Sequence, residues 1–567
     1  MNKKVLIPLL CLVPMSLTFN ANVNTQEPMI KNANKTELVQ DFHGETLTIY
    51  NCEDYIDEAL VEEFEQKYNC KVNYYTYDTN ETMYNQFTLQ PQGTYDLICT
   101  SDYMIQRMVR EGLVQPFDIP TVSPVYDQYA SVSIRGKLKS MYADTDKDGE
   151  KDTSLDKYAA GYMWGTLGII YDPFYKDTTR EDVKSWDVFW NPKYEDKISI
   201  KNSMRDTFVV GLMHAYYGSE YTDVDEYAKT ARETYLKEKE AATTPEELIA
   251  AEGKYNKVIQ DIFDLVLTEE NPDEVLNVVK DELIALKQNI FGLEVDSGKN
   301  DIITGKIKMN LAWSGDAVYS IGQALESRNK VLEYYVPDDG SNVWYDGWTM
   351  PVGANTELAG KFIDYLSEPA NAARNMNYIG FTSFITCDEV FDLVTDWYGV
   401  QDFYLDTTYH AEDEENELDA SIVKYNDKFY RALKETKGNL PTDTNYFEEV
   451  TEDLDLDEPY DLSHLFSGHM SEGKSTIVYP YKAYTNQLQT QYPDNDTLVR
   501  CAVMNDFEEA NEKVVIMWGQ VKAYTNMIPY YVILGIFAGG FIVFITYKII
   551  SKSKSSRNKR RLQNLTK

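Results

Sequence analysis

The chain has 567 residues, of which 43% are hydrophobic and 13% aromatic, and these fractions exclude an intrinsically disordered protein. That length can bury a large core divided between two lobes. The formal net charge of −38 argues against nucleic acid as a partner and favours cations.

Residues 1–22 have the pattern of a signal peptide. Lys3 and Lys4 precede an uncharged run at 5–19 that is too short for a comfortable membrane span. Residues 23–43 are polar and irregular, which is typical of a spacer. The sequence therefore predicts an exported protein.

Strand and helix patterns then alternate. Residues 47–50, 71–77 and 96–100 are strand-like, and the segment after the first strand has apolar residues at helical spacing. Asp54 precedes that helix and could cap it. The alternation predicts a parallel sheet, whose ligands lie beyond the carboxyl ends of its strands.

An acidic loop, DTDKDGEKDTSLD, occupies residues 144–156. Its carboxylates alternate ahead of and beyond Gly149, as in the first part of a calcium loop. The predicted ligands are Asp144, Asp146, Asp148 and Asp152. Leu155 replaces the glutamate of an EF-hand, and the loop is more similar to those of thrombospondin-type repeats. The sequence predicts a structural calcium ion, with a solvated acidic turn as the alternative.

Residues 161–173 form an apolar run that we expect to cross into a second lobe. The pattern is helical over residues 222–290, with helix starts at Thr244 and Asn271, each followed by proline. One apolar stripe contains Leu248, Tyr255, Ile262 and Leu265. These features predict a helical insertion whose stripe packs into a core.

The stretch 311–351 concentrates the chemistry of a binding site. Asp316 and Asp346 each follow a tryptophan, Trp313 and Trp344, by two or three residues. Aromatic faces beside carboxylates suit an organic cation. The alternative is a tryptophan-rich core with solvated acids.

The remaining segments contain no motif of an enzyme. Residues 388–480 are rich in acids and aromatics, and their sequence indicates no fold; a helix is predicted at 508–523. The chain has no phosphate loop, metalloprotease helix or nucleophile elbow, and its five histidines are not paired at ligand spacing. We therefore predict that the protein is not an enzyme.

Residues 527–547 carry no charge and would form a helix of ~31 Å, enough to cross a bilayer. Tyr530, Tyr531 and Tyr547 lie near its edges, and a basic tail follows at 548–567. The sequence predicts a C-terminal transmembrane helix, with the tail in the cytoplasm and the rest of the chain outside.

Collinear segments of the chain resemble the polyamine-binding proteins of ABC importers, the spermidine/putrescine periplasmic-binding family. These segments are LTIYNCEDYI (47–56), YDLICTSDYMIQRM (95–108), GYMWGTLGIIYDP (161–173), SMRD (203–206), LAWSGDA (311–317), VPDDGSNVWYDGWTMP (336–351) and NYIGFTSF (377–384).

The resemblance implies an α/β fold with two lobes, like that of type II periplasmic binding proteins. Lobe 1 would comprise residues 44–160 and 347–387, and lobe 2 residues 161–346 and 481–525; residues 388–480 would be a second insertion. No cofactor is required. The implied ligand-binding residues are Asp54, Tyr55, Ser101, Tyr103, Asp206, Trp313, Asp316, Trp344, Asp346 and Phe381.

The resemblance also implies roles for these residues. The four aspartates would pair with ammonium groups, Trp313 and Trp344 would enclose the ligand chain, and Ser101 and Tyr103 would accept hydrogen bonds. Three positions depart from the family pattern: Cys52 replaces a tryptophan, Glu53 a small residue, and Ser203 an acid of spermidine binders.

The implied function is that of a membrane-anchored, extracellular solute-binding subunit of an ABC importer. It would capture spermidine or putrescine and deliver it to a permease as two lobes close over the ligand. An anchored sensor or adhesion ectodomain on the same fold is the alternative.

Overall fold

The computed structural model describes residues 40–524 and 541–548, with gaps at 147, 149, 219–222, 269–270 and 414–418. The predicted signal peptide and most of the predicted transmembrane segment, 527–547, lie outside the described residues. Within the described part of the chain, no helix is long and apolar enough to span a membrane.

The strands form one large sheet, one smaller sheet and a two-stranded ribbon. They are β1 Thr46–Cys52, β2 Lys71–Tyr77, β3 Leu97–Ser101, β4 Tyr142–Ala143, β5 Thr153–Ser154, β6 Ala159–Tyr171, β7 Ile198–Lys201, β8 Gly292–Glu294, β9 Met309–Trp313, β10 Glu333–Tyr335, β11 Ser341–Thr349, β12 Thr382–Ser383, β13 Gly399–Asp402, β14 Ile422–Tyr425, β15 Lys428–Ala432, β16 Phe447–Glu449, β17 Tyr460–Asp461, β18 Ile477–Pro480 and β19 Cys501–Ala502.

Helices cover the sheet and fill most of the connections. They are α1 Glu58–Tyr68, α2 Asn80–Phe87, α3 Asp102–Arg110, α4 Ile119–Val122, α5 Pro124–Tyr129, α6 Val132–Lys139, α7 Met204–Met213, α8 Asp223–Ala241, α9 Pro245–Phe263, α10 Leu265–Thr268, α11 Pro272–Leu286, α12 Ser297–Thr304, α13 Ser314–Arg328, α14 Thr356–Leu366, α15 Pro369–Ile379, α16 Asp388–Tyr398, α17 Ser463–Phe466, α18 Thr485–Gln491, α19 Asn495–Val499 and α20 Asn511–Ala523.

The large sheet has two halves. Its main strands run in the order β2-β1-β3-β11-β6-β9-β7-β8. β1 is parallel to β2 and β3, and β7 is parallel to β8 and β9, as the strand–helix alternation predicts. The halves meet at β6 and β11, which pair with each other in antiparallel orientation. β6 contains most of the segment that was expected to cross between lobes.

Two hydrophobic cores correspond to the two halves, and β6 contributes to both. Trp164 and Ile170 on β6 belong to the first core, whereas Leu167 and Ile169 belong to the second. Every residue of β6 is buried, because both faces of the strand are covered. The architecture is the two-lobed α/β arrangement that the sequence predicts.

Helices α8 to α11 form the helical insertion and pack on the second core. The Thr244 side chain caps α9 by accepting a hydrogen bond from the Glu247 amide, as predicted. The Asn271 side chain makes no cap bond and instead donates to Glu274 at 3.0 Å. Tyr255, Ile262 and Leu265 are buried in the second core, whereas Leu248 is half-buried.

The acidic insertion contains a small sheet that was not predicted from the sequence. Its six strands run in the order β16-β15-β14-β13-β18-β17, and all of them follow helix α16 in the chain. A small core of Tyr409, Val423, Tyr430 and Phe447 lies within it. The insertion is therefore a folded unit with its own apolar cluster.

Candidate ligand-binding site

The residues predicted to bind a ligand gather where the two half-sheets meet. Ser101 ends β3, Trp313 ends β9, and Tyr55 follows the end of β1. Within each half-sheet, parallel strands place such residues together, because their carboxyl ends share one edge. The two half-sheets run in opposite directions, so these two edges face each other across β6 and β11. Asp346 lies opposite Ser101, on the crossing strand β11.

Asp346 has an organised carboxylate. The Tyr55 hydroxyl donates to its Oδ2 at 2.7 Å, and the Ser101 hydroxyl donates to its Oδ1 at 2.7 Å. Asn80 in turn donates to the Ser101 oxygen at 2.9 Å. Burial raises the pKa of Asp346, while the hydrogen bonds from Tyr55 and Ser101 oppose that rise. Within the described residues it has no ion-pair partner, so its charge is oriented but not neutralised.

A register shift in the sheet lies beside this carboxylate. Asp346 pairs with Met163 and Gly347 with Gly161, so the extra residue is Tyr162 on β6. Bulges of this kind occur often beside functional sites. A Cβ at Gly347 would lie 3.0 Å from the Ala160 carbonyl oxygen, so the glycine allows the close approach of the strands.

Aromatic side chains pack against one another beside Asp346. The Phe381 ring makes edge contacts with Tyr55 at 5.7 Å and with Trp344 at 5.8 Å between centroids. The buried Trp344 Nε1 has no hydrogen-bond partner in the described part of the chain. These rings supply the apolar wall and the π faces that an organic cation requires.

The second lobe contributes Asp206 at the start of α7. Ser203 caps this helix by accepting a hydrogen bond from the Asp206 amide at 3.2 Å. Burial raises the pKa of the Asp206 carboxyl, and the rise is opposed by hydrogen bonds from Ser203 and Trp313 and by the charges of Lys201 and Arg205. Among the residues described, Asp206 also has no ion-pair partner.

Asp316, by contrast, is paired with two lysines of the protein. Lys201 Nζ lies 3.0 Å and Lys299 Nζ 3.3 Å from its carboxylate oxygens. Burial favours the neutral acid, but the two ammonium groups prevail and hold the pKa of Asp316 below its ordinary value. Lys201 Nζ also lies 4.2 Å from the centroid of the Trp313 ring. Asp316 and one face of Trp313 are thus already engaged by the chain itself.

Two further predicted residues lie in different surroundings. Asp54 is exposed, in a left-handed conformation with φ 55°. It does not cap the following helix, because the Asp57 side chain does so by accepting from the Ala59 amide at 3.1 Å. The Tyr103 hydroxyl donates to Glu81 at 3.0 Å, and the Arg205 guanidinium covers the Tyr103 ring at 3.8 Å.

Arg205 links the lobes and was missed by sequence reasoning. It projects from α7 onto Tyr103 of lobe 1 and donates to the carbonyl oxygens of Met504 and Asn505, each at 2.7 Å. Beside it, burial raises the pKa of Asp102 to about 7, although Arg205 opposes this. Arg205, like Lys201, lies next to a strand end. That position at the sheet edge is the signal by which the sequence could have identified it as a site residue.

Two half-sheets joined by crossing strands, with carboxylates and aromatic rings at their junction, define a two-lobed solute-binding protein. The chain belongs to the bacterial extracellular solute-binding proteins, whose family profile matches residues 59–391. It is therefore a binding protein and not an enzyme, as predicted.

Curated relatives agree with the resemblance to the polyamine-binding family. The chain is 24% identical to a spermidine/putrescine-binding periplasmic protein of Salmonella typhimurium over 60% of this chain and 77% of the relative. It is 25% identical to the protein of that name from Escherichia coli, over 59% and 76%. It is 24% identical to the Escherichia coli putrescine-binding periplasmic protein PotF, over 60% and 77%.

Solved structures were also matched. One is the spermidine/putrescine ABC transporter substrate-binding protein PotD of Streptococcus pneumoniae, in complex with calcium and HEPES. It is 20% identical, with a TM-score of 0.47, over 84% of this chain and 99% of that chain. A putative spermidine/putrescine ABC transporter from Listeria monocytogenes is 20% identical, with a TM-score of 0.49, over 85% and 100%.

Proposed function

We propose that the protein captures a polyamine, spermidine or putrescine, outside the cell and delivers it to an ABC permease. The observation that carries this proposal is Asp346, whose two oxygens are oriented by Tyr55 and Ser101 and whose charge has no cationic partner among the described residues. An ammonium group placed there would gain a charge-assisted hydrogen bond. Trp344 and Phe381 would contact the methylene chain of the ligand.

The expected free energy of binding can be estimated from these contacts. Charge-assisted hydrogen bonds contribute roughly 1.5–3 kcal/mol each, and cation–π contacts roughly 0.5–2 kcal/mol when desolvated. Several of each, less the cost of ordering a flexible amine, give a Kd on the order of micromolar, about −8 kcal/mol.

Calorimetry with a panel of ligands tests the function. The purified chain should bind putrescine, spermidine or both, and should ignore sugars and neutral amino acids, whose oxygens would face unpaired carboxylates. Stabilisation by an anion, a sugar or a peptide, together with no response to any amine, would overturn the assignment.

The affinity should depend on pH. Burial raises the pKa of both Asp346 and Asp206 above the ordinary value of 3.8, and an ammonium ligand binds their ionised forms. Protons therefore compete with the ligand: affinity should be constant at high pH and fall as pH drops through the raised pKa values. The unliganded protein shows the opposite dependence. Because the folded state holds these protons more tightly than the unfolded state, its stability falls as pH rises from the ordinary pKa to the raised pKa values. Calorimetry from pH 8 to pH 4 measures the first effect, and an affinity that rises on acidification would contradict it.

Anchoring by residues 527–547 is part of the proposal. The segment is uncharged and is followed by a basic tail. Large apolar side chains of its described portion, among them Phe541 and Val543, are exposed. A chain that ends before Met527 should be released in soluble form, whereas the full chain should sediment with membranes. Retention of the shortened chain in the membrane would contradict this.

We also propose a structural calcium ion at the acidic loop. The carboxylates of Asp144, Asp146 and Asp148 converge within 4.8 Å of one another, whereas Asp152 is not in this group. Hard carboxylate oxygens are the ligands that calcium prefers. Lys151 of the loop pairs with Glu508 at 2.8 Å, which ties the loop to the segment after β19.

Calcium should therefore raise the melting temperature of the protein, and Asp146→Ala should remove the rise. The Asp152→Ala variant is the matched control and should keep most of it, because Asp152 lies outside the converging group. Identical melting curves with and without calcium would mean that the loop is only a solvated acidic turn.

A further inference from the structure

A lysine of the chain occupies a position that suits a ligand ammonium. Lys201 Nζ lies over the Trp313 ring and forms ion pairs with Asp316 at 3.0 Å and with Glu294 at 3.2 Å. It also donates to the Val295 carbonyl oxygen at 2.9 Å. An ammonium on an aromatic face, beside two carboxylates, is how a protein holds an organic cation.

Lys201 is fixed in this place. Its side chain is 2% exposed, and its three anchors lie on two backbone segments, at residues 294–295 and at Asp316. Glu294 is itself held, because it accepts hydrogen bonds from the Gly298 amide at 2.8 Å and from the Asn310 amide at 3.2 Å. The ammonium is therefore a permanent feature of the second lobe.

The three interior carboxylates of the site therefore differ in whether the chain itself supplies an ion-pair partner. Asp346 and Asp206 have no ion-pair partner in the part of the chain that the structure describes, whereas Asp316 has Lys201 and Lys299. A ligand ammonium brought to Asp316 would meet two like charges at close range. Such juxtaposition of like charges is unfavourable and discriminates against that ligand.

We propose that Lys201 is a specificity-determining residue, which replaces one ligand ammonium and restricts the site to amines that place ammonium groups at Asp346 and Asp206 only. The inference rests on the proposed function and names its substrate class: a diamine, in preference to a triamine. With Asp346 and Asp206 taken by two ammonium groups, the triamine's additional ammonium would meet Lys201 and Lys299 at Asp316.

Calorimetry on the full chain with putrescine and spermidine tests the inference without any variant. The protein should bind putrescine at least ten times more tightly than spermidine. A preference for spermidine would overturn the role of Lys201 and leave the proposed function standing. Binding of neither amine, nor of any other in the panel, would overturn the proposed function and the inference with it.

A pair of variants tests the residue itself. Lys201→Ala combined with Glu294→Gln removes one charge of each sign, so that the buried network stays balanced and Asp316 is partly freed. This double variant should shift the affinity ratio at least tenfold towards spermidine. Glu294→Gln alone is the matched control and should change the ratio less than threefold. An unchanged ratio of the putrescine and spermidine affinities in a folded double variant would overturn the inference. If the double variant does not fold, the affinity ratio of the wild-type protein decides whether the inference stands.

Discussion

Replacing Asp346 with asparagine is expected to lower the affinity for a diamine by about 30-fold to several thousandfold. Removal of one partner from a buried, hydrogen-bonded charge pair costs roughly 2–5 kcal/mol, and every 1.4 kcal/mol is about tenfold. The Asp346 carboxylate is held by Tyr55 and Ser101 and has no cationic partner of its own among the described residues. The ligand ammonium would be that partner.

The unliganded variant should nevertheless be as stable as the wild type, or more stable. Burial penalises the ionised carboxylate of Asp346, and asparagine removes that charge while keeping the shape. Its amide oxygen and nitrogen can still bond the hydroxyls of Tyr55 and Ser101. Thermal unfolding beside calorimetry separates the two effects.

Asp54→Asn provides the control. Asp54 is exposed, and a charge in such a place is solvated and screened. Its removal should lower the affinity less than about tenfold. Equal losses in the two variants would mean that general charge attraction, and not the Asp346 site, holds the ligand.

Much of the sheet could be predicted because its signals are local. The segment 71–77 is a strand over its full predicted length, and alternation of strands with helices indicated the parallel pairing. The tryptophan and acid triplet at 344–346 identified Asp346, because residues two apart on a strand share one face. Asp54 and Asp57 both precede a helix, and only the backbone conformation decides which one caps it.

Contacts between segments far apart in the chain could not be predicted from the sequence. Lys201 and Asp316 are 115 residues apart, and nothing in either segment indicates that they meet. The same holds for the bulge of β6 opposite Asp346, which depends on how β11 fits against β6. The sheet of the acidic insertion is built from short strands, which carry a weak periodic signal, and its central pairing joins β13 to β18 about 80 residues further along the chain.

The glycine at position 165 should control the fit of Trp344. Trp344 lies opposite Gly165 in the β6–β11 register. A Cβ at Gly165 would lie 2.5 Å from Ser314 Oγ and 2.6 Å from the Trp344 ring, closer than real contacts allow. Trp344 cannot yield freely, because its ring packs against Phe381 at 5.8 Å. Alanine at this position must displace a wall of the binding site.

Gly165→Ala is therefore expected to lower the free energy of unfolding by about 1–3 kcal/mol, the usual cost of overpacking a core. It should also weaken diamine binding about tenfold or more, since a rigid aromatic contact displaced by about 1 Å loses most of its geometry. Gly136→Ala is the matched control, because nothing lies within 4 Å of a Cβ at Gly136, in helix α6. That variant should gain roughly 0.5–1 kcal/mol from helix propensity and bind normally. A destabilised Gly165→Ala protein with unchanged affinity would place Trp344 in the core and not in the ligand site.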